Sequence, residues 1–272
     1  MTSDTGEQCG QPAPTYHAGM TLRVLILGGT GEARQLAARL AADHRLDVIS
    51  SLAGRVADPV RPAGRVRIGG FGGPAGLAAW LAAERIGAVI DATHPFAAGI
   101  TASAVTAAGQ AGLPLLVLRR PGWQAGPGDD WRRVPSMAAA AAALPGDRVF
   151  LATGRDSLAA FAADGRRWFL VRSVDAPAPP APPRMLVVLG RGPFTEEGEL
   201  ALMREHAIDA LVSRDSGGPR TAAKLTAARR LGMPVVMVDR PPAAAAPTVT
   251  TAEAAVEWLA HAGGLSLRQV TP

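Results

Sequence analysis

Six loops of this sequence place small residues beside charged or hydroxyl-bearing ones directly after an apolar run. The first is Gly28-Gly29-Thr30-Gly31-Glu32, which follows Leu22 to Leu27 and precedes a helical pattern with Ala33, Leu36, Ala37 and Leu40 on one face. Glycines there let the backbone turn sharply and present amide hydrogens at a helix N-terminus, which suits a pyrophosphate. The full G-x-G-x-x-G is absent, since Gly29-x-Gly31 leads to Arg34. A purely structural glycine turn therefore stays open as a reading.

The second loop bears on which dinucleotide would bind. A site for an unmodified ribose diol places an Asp or Glu about 20 residues past the glycine turn. Here the second apolar run, from Leu46 to Ile49, ends in Ser50-Ser51-Leu52-Ala53-Gly54-Arg55, with hydroxyls and an arginine but no carboxylate. That pattern favours a 2′-phosphate and disfavours an S-adenosylmethionine site. A solvated turn with a stray arginine is the bland alternative for Arg55.

The third loop, Asp91-Ala92-Thr93-His94-Pro95-Phe96-Ala97, closes a strand and opens a helix with Pro95 near its first turn. His94 there has a side chain that titrates near neutrality, although a lone histidine is also a common structural cap. No second histidine or carboxylate is spaced to complete a metal site, so no metal is expected. Three further loops repeat the theme: Thr153-Gly154-Arg155-Asp156, Gly190-Arg191-Gly192-Pro193-Phe194, and Ser213-Arg214-Asp215-Ser216-Gly217-Gly218 with Lys224 on the next helix. Together Arg155, Arg191, Arg214 and Lys224 would ring one cleft with positive charge, as a multiply anionic ligand requires.

The elements that must position these loops alternate between strand and helix. Short, near-continuous apolar runs, among them Leu22 to Leu27, Ala88 to Asp91, Leu115 to Leu118, Val149 to Ala152, Ala210 to Ser213 and Val235 to Val238, are separated by helical patterns. This is the signature of parallel sheets covered on both faces. The pattern Gly112-Leu113-Pro114 before Leu115 to Leu118 and Arg119-Arg120-Pro121 returns as Gly232-Met233-Pro234 before Val235 to Val238 and Asp239-Arg240-Pro241. Two related α/β lobes, Rossmann-like or flavodoxin-like, are expected to face one cleft with their strand C-termini. The division reads as a disordered tail over 1–20, a dinucleotide-binding domain over 21–122 and a substrate-binding domain over 136–272, joined by a Pro/Gly/Trp-rich linker.

Composition narrows the function classes. The chain has 272 residues, 48% of them hydrophobic, which excludes a wholly disordered protein. It contains no apolar stretch of about 18 residues and no basic start followed by an apolar block, so a cytoplasmic protein with no membrane partner is expected. The single cysteine, Cys9, excludes an internal disulfide. Net charge is +5, and Lys224 is the one lysine among 28 basic residues. Aromatics are 4% and the basic residues are scattered among acids, which speaks against nucleic acid.

Gly28 to Arg34, Asp91 to Ala97, Thr153 to Arg155, Gly190 to Phe194 and Ser213 to Gly218 together resemble the precorrin-6A reductase family of cobalamin biosynthesis, in order and spacing over residues 21 to 262. The resemblance implies two Rossmann-like lobes and reduction of a macrocycle double bond by NADPH, with hydride going to one ring carbon and a proton to its neighbour. The implied substrate is a polycarboxylate tetrapyrrole. Gly28, Gly29, Thr30, Gly31, Glu32, Ser50, Ser51, Arg55 and Thr93 are then expected at the cofactor. His94, Phe96, Thr153, Gly154, Arg155, Arg191, Ser213, Arg214, Ser216 and Lys224 are expected at the substrate, with Lys224 the least important of the basic four. His94 is the side-chain candidate for the proton donor, and water is the alternative. Transient contact with neighbouring pathway enzymes is a further expectation. A cobalt-precorrin-6A reductase, another NADPH-dependent reductase and a non-catalytic dinucleotide-binding regulator remain the rival readings.

Overall fold

The computed structural model describes residues 21–54 and 60–262. Its first sheet contains β1 (Leu22–Leu27), β2 (Leu46–Leu52), β3 (Arg65–Ile68), β4 (Ala88–Asp91) and β5 (Leu115–Leu118). Helices α1 (Gly31–Ala41), α2 (Gly73–Ala83) and α3 (Ala98–Ala111) connect them. The second sheet contains β6 (Trp131–Val134), β7 (Arg148–Ala152), β8 (Trp168–Ser173), β9 (Met185–Leu189), β10 (Ala210–Arg214) and β11 (Val235–Val238), with α4 (Met137–Ala142), α5 (Glu196–Glu205) and α6 (Ala223–Arg230). Each pairing between neighbouring strands is parallel. The expected two-lobed α/β architecture is the one observed.

Strand order makes the lobes counterparts. The first sheet runs β12-β5-β4-β1-β2-β3, where β12 is Thr248–Val249, and the second β6-β11-β10-β7-β8-β9. One apolar cluster packs on each face of each sheet, so β1 and β7 sit at the centres of two three-layer sandwiches. The Gly-x-Pro echo has a physical basis. Gly112 (φ 63°) and Gly232 (φ 60°) take the left-handed conformation that ends a helix, where an L side chain is disfavoured. The carbonyls of Pro114 and Pro234 then accept equivalent hydrogen bonds from Val89 N and Leu211 N, both at 3.0 Å.

The C-terminal stretch departs from the expected division. Strand β12 pairs with β5, and α7 (Ala252–Ala262) buries Ala252, Ala255 and Leu259 in the core beneath α1. Residues 248–262 therefore belong to the first lobe and not to a second domain ending at 272. Reciprocally, β6 lies within the expected linker and pairs with β11 of the second sheet. Each lobe thus takes its sixth strand from the chain that leaves the other lobe's fifth. The reason is pairing: β5 and β11 each present an open edge that a crossing segment satisfies. The crossing chains are laced by Arg240, whose Nη1 and Nη2 donate to the carbonyls of Arg120 (2.7 Å) and Pro121 (2.9 Å). Arg119 Nη2 returns a bond to Pro241 O at 2.9 Å. Gly217 (φ +65°) lies under this crossing, and a Cβ there would stand 2.0 Å from Pro121 O.

The expected tail, 1–20, and Arg55 lie outside the described residues.

Candidate active site

Between the strand C-termini of the two lobes lies a cleft of about 570 Å³. Its first-lobe wall is the β1–α1 turn. Thr30 is extended and accepts a hydrogen bond from Ala33 N at 3.1 Å, the N-cap geometry that starts α1. The same hydroxyl donates to Ala92 O at 2.8 Å, which fastens the turn to the end of β4. Gly29 carries the positive φ (+112°), and a Cβ on Gly31 would meet nothing closer than 3.9 Å. The mouth of the helix is therefore open to a ligand phosphate, with backbone N–H groups and the positive end of the helix dipole behind it. Glu32 also lines the cleft, but its Oε2 accepts from Arg120 Nη1 at 2.9 Å.

The second-lobe wall is cationic. Arg172, Arg191, Arg214, Arg220 and Lys224 line it, joined by Arg34 of α1 and Arg120 of the chain crossing from the first-lobe side; among the described residues Glu32 is the one carboxylate lining the cleft. Arg172 is held rigidly: Nη1 pairs with Glu199 Oε1 at 2.5 Å, and the guanidinium lies 3.8 Å from the Phe194 ring centroid. Arg220 Nη2 donates to Gly192 O at 2.7 Å, tying the Gly190 to Phe194 loop to the turn before α6.

Lys224 is 3% exposed, with Nζ donating to Thr221 O at 2.6 Å and facing the Trp123 ring at 4.7 Å. Burial, then the neighbouring cation Arg172, push its ammonium down from 10.5 to about 7, with Glu199 opposing and Arg214 adding to the fall. His94 moves the same way. Burial and the charges of Arg214, Arg120, Arg240 and Lys224 lower it from 6.5 to about 3. Its Nδ1 accepts from Phe96 N at 3.2 Å, so the ring proton sits on Nε2. A neutral imidazole of that tautomer donates a hydrogen bond but is not an acid at neutral pH.

Of the residues expected at the site, Gly28, Gly29, Thr30, Gly31, Glu32, His94, Gly154, Arg191, Arg214, Ser216 and Lys224 line the cleft. The others stand apart from it. Thr93 donates to Asp91 Oδ1 at 2.7 Å and faces a neighbouring cavity of about 400 Å³ behind His94. Phe96 packs against the second lobe's core, where it docks one lobe on the other. Thr153 and Ser213 are buried, bonding Ser157 Oγ (2.7 Å) and Arg214 O (3.2 Å) respectively. Arg155 Nη1 pairs with Asp175 at 3.2 Å. Ser51 Oγ accepts from Arg67 Nη1 at 3.4 Å, and Ser50 Oγ is buried with no hydrogen-bond partner.

Arg34, Arg120, Arg172 and Arg220 are the charged cleft residues that sequence reasoning missed. Arg172 had a signal, because it stands at a strand end beside Ser173 like the other loop arginines. Arg120 had none, since it reaches the cleft only through the chain crossing. Asp215, within the Ser213 to Gly218 motif, proves to be a brace: it accepts from Trp123 N and Arg133 Nη2, both at 2.9 Å.

A glycine turn opening a helix in one lobe, faced by an arginine-rich wall in the other, defines a two-lobed Rossmann-like protein with a basic cleft between its strand C-termini. Comparison with known proteins narrows that class. A family model described as precorrin-6x reductase CbiJ/CobK matches residues 23–260, and the chain belongs to this family. A precorrin-6A reductase of Rhodococcus erythropolis is 52% identical over 240 residues, covering 87% of this chain and 97% of the relative. One from Mycobacterium tuberculosis (strain ATCC 25618 / H37Rv) is 51% identical over 243 residues, covering 88% and 97%. A solved structure described as CobK precorrin-6A reductase superposes with a TM-score of 0.84 at 46% identity, covering 89% of this chain and 98% of its own. No described helix is long and apolar enough to cross a membrane.

Proposed function

We propose that the protein is the NADPH-dependent precorrin-6A reductase of cobalamin biosynthesis, acting in the cytoplasm on the cobalt-free macrocycle for which its relatives above 50% identity are named. The observation that carries this reading is the charge asymmetry of the cleft, with seven cationic side chains against one paired carboxylate among the described residues. A macrocycle edged with acetate and propionate groups needs several separate cationic contacts, and arginine forks meet carboxylates in two parallel hydrogen bonds.

The residues present fit a dinucleotide. Gly31 leaves the α1 N-terminus open to the cleft. The backbone N–H groups of Gly31 and Glu32 would hold the pyrophosphate. Arg67, beside Ser51 on the neighbouring strand, would reach the adenosine end, where Leu52, Ala53 and Gly54 offer no carboxylate to a ribose diol. Bound there, the nicotinamide supplies the hydride. The chain's own residues do the rest: Arg172, Arg191 and Arg214 hold carboxylates, His94 donates a hydrogen bond through Nε2–H, and the closing of two walls on the macrocycle excludes water.

The test is oxidation of NADPH, followed optically, with precorrin-6A, with its cobalt-containing analogue and without substrate, repeated with NADH. Turnover only with precorrin-6A and NADPH is expected. Equal rates with NADH would overturn the cofactor choice, and equal rates with the cobalt analogue would overturn the substrate choice.

A further inference from the structure

We infer that Lys224 is the proton donor of the reduction, the group that completes the new C–H bond on the carbon next to the one receiving hydride. The inference rests on the reductase reading above and names the acid of that same cleft.

Four observations converge on Lys224. It is the chain's one lysine, and it lines the cleft from the first turn of α6. Its Nζ makes one protein hydrogen bond, to Thr221 O at 2.6 Å, so a protonated amine has further N–H groups to give. The Trp123 ring from the chain crossing covers one side of it, which fixes the amine against the cleft wall and limits water. The charged groups around it come from three other elements: Arg172 on β8, Arg214 on β10 and Glu199 on α5. Two cations and burial loosen the proton, and one carboxylate retains it. The balance leaves Lys224 near pH 7, where a general acid is most effective.

The other groups in the cleft are unsuited to this step. The arginines do not titrate in any useful range. Glu32 is engaged by Arg120, whose Nη1 donates to its Oε2 at 2.9 Å. His94 is already neutral at physiological pH, with its proton on Nε2.

The step balances. The macrocycle gains two electrons with the hydride while the nicotinamide is oxidised. The electron pair released at the neighbouring carbon takes a proton from Nζ as one N–H bond breaks. The neutral amine is then reprotonated by water once product leaves. Substrate carboxylates entering beside Arg172 and Arg214 offset their charge, which raises the Lys224 pKa and keeps the ammonium form in the complex.

A single lysine makes the test direct. In protein labelled with 13C,15N-lysine, the side chain gives one resonance, and its titration reads the pKa in the intact protein without any turnover. A midpoint near neutrality that moves up when the tetrapyrrole binds is expected; a midpoint near 10.5 in the free protein overturns the proposal. In turnover, Lys224→Met should lose about 100- to 10,000-fold in kcat with NADPH affinity unchanged. Lys224→Arg separates acid from clamp, because arginine keeps the charge and cannot give up a proton. It should recover KM and leave kcat low; recovery of kcat by Lys224→Arg, or a kcat within a few-fold of wild type in Lys224→Met, sinks the proposal. If wild-type protein fails to turn over precorrin-6A, the reductase reading fails, and the lysine titration still reports on Lys224 by itself.

Discussion

The two lobes share one strand order yet present opposite chemistry to the cleft. After the central strand of the first lobe, the chain turns through Gly29 into the eleven-residue helix α1, capped by Thr30. After the central strand of the second, it turns through Gly154 (φ +78°) into a 3₁₀ segment, Arg155–Phe161, with no side-chain cap. A long α-helix offers aligned backbone N–H groups and a dipole, which suit a phosphate without any charged side chain. A 3₁₀ segment offers neither well, and the second lobe relies on arginine side chains instead. One topology therefore presents two different surfaces to the cleft, and the segment after the central strand sets the difference.

Breaking the second lobe's wall should have the largest effect. Arg172→Ala leaves the Glu199 carboxylate, 2% exposed, without its ion pair, and a loss on the order of 3–5 kcal/mol in denaturant unfolding is expected. The same change should weaken the tetrapyrrole.

Lys224 gives a stability test with a definite sign. Its folded pKa, about 7, lies below the ordinary 10.5, so between those values the unfolded chain binds more protons and stability rises with pH. Lys224→Met removes that dependence. Its stability relative to wild type should therefore be greatest at and below pH 7 and shrink towards pH 10.5, by up to about 1.4 kcal/mol per pH unit. A difference independent of pH would show that the lysine is not desolvated.

The first lobe is probed at its open helix mouth. At Gly31 an added Cβ would make only ordinary contacts, 3.9 Å from Arg34 Nη2 and 4.0 Å from Arg220 Cδ, and the position lies outside the left-handed region, so the fold should survive Gly31→Val. NADPH affinity should fall by about 100-fold, on the order of 2.7 kcal/mol, because the side chain occupies the phosphate position. Unchanged affinity by fluorescence titration would show the turn to be structural only.

Smaller effects sharpen the contrast further. Arg191→Ala should weaken the tetrapyrrole by about 1 kcal/mol, less at high salt, and spare NADPH. Arg155→Ala removes a partly exposed pair with Asp175 outside the cleft lining, so stability and both affinities should stay within about 1 kcal/mol.

Much of the architecture was legible because its causes are local. The apolar runs of β1, β4, β7, β10 and β11 name themselves, and Gly112 and Gly232 mark the helix ends that precede β5 and β11. The site was legible in part. Of the basic group singled out by its loops, Arg191, Arg214 and Lys224 reach the cleft, while Arg155 turns to Asp175. Side-chain direction at the end of a strand depends on what packs above it, and no sequence spacing records that.

The sequence by itself determined the alternation of strands and helices, the glycine turn with its Thr30 cap, and the excess of arginine, since each depends on residues close along the chain. Tertiary structure alone decided the exchange of β6 and β12, for a strand as short as Thr248–Val249 carries no periodicity and exists only because β5 offers it an edge. It also decided the state of Lys224. Trp123, Arg172 and Glu199 come from distant segments of the chain; burial and Arg172 lower the lysine's pKa while Glu199 opposes them, and only their convergence sets that balance.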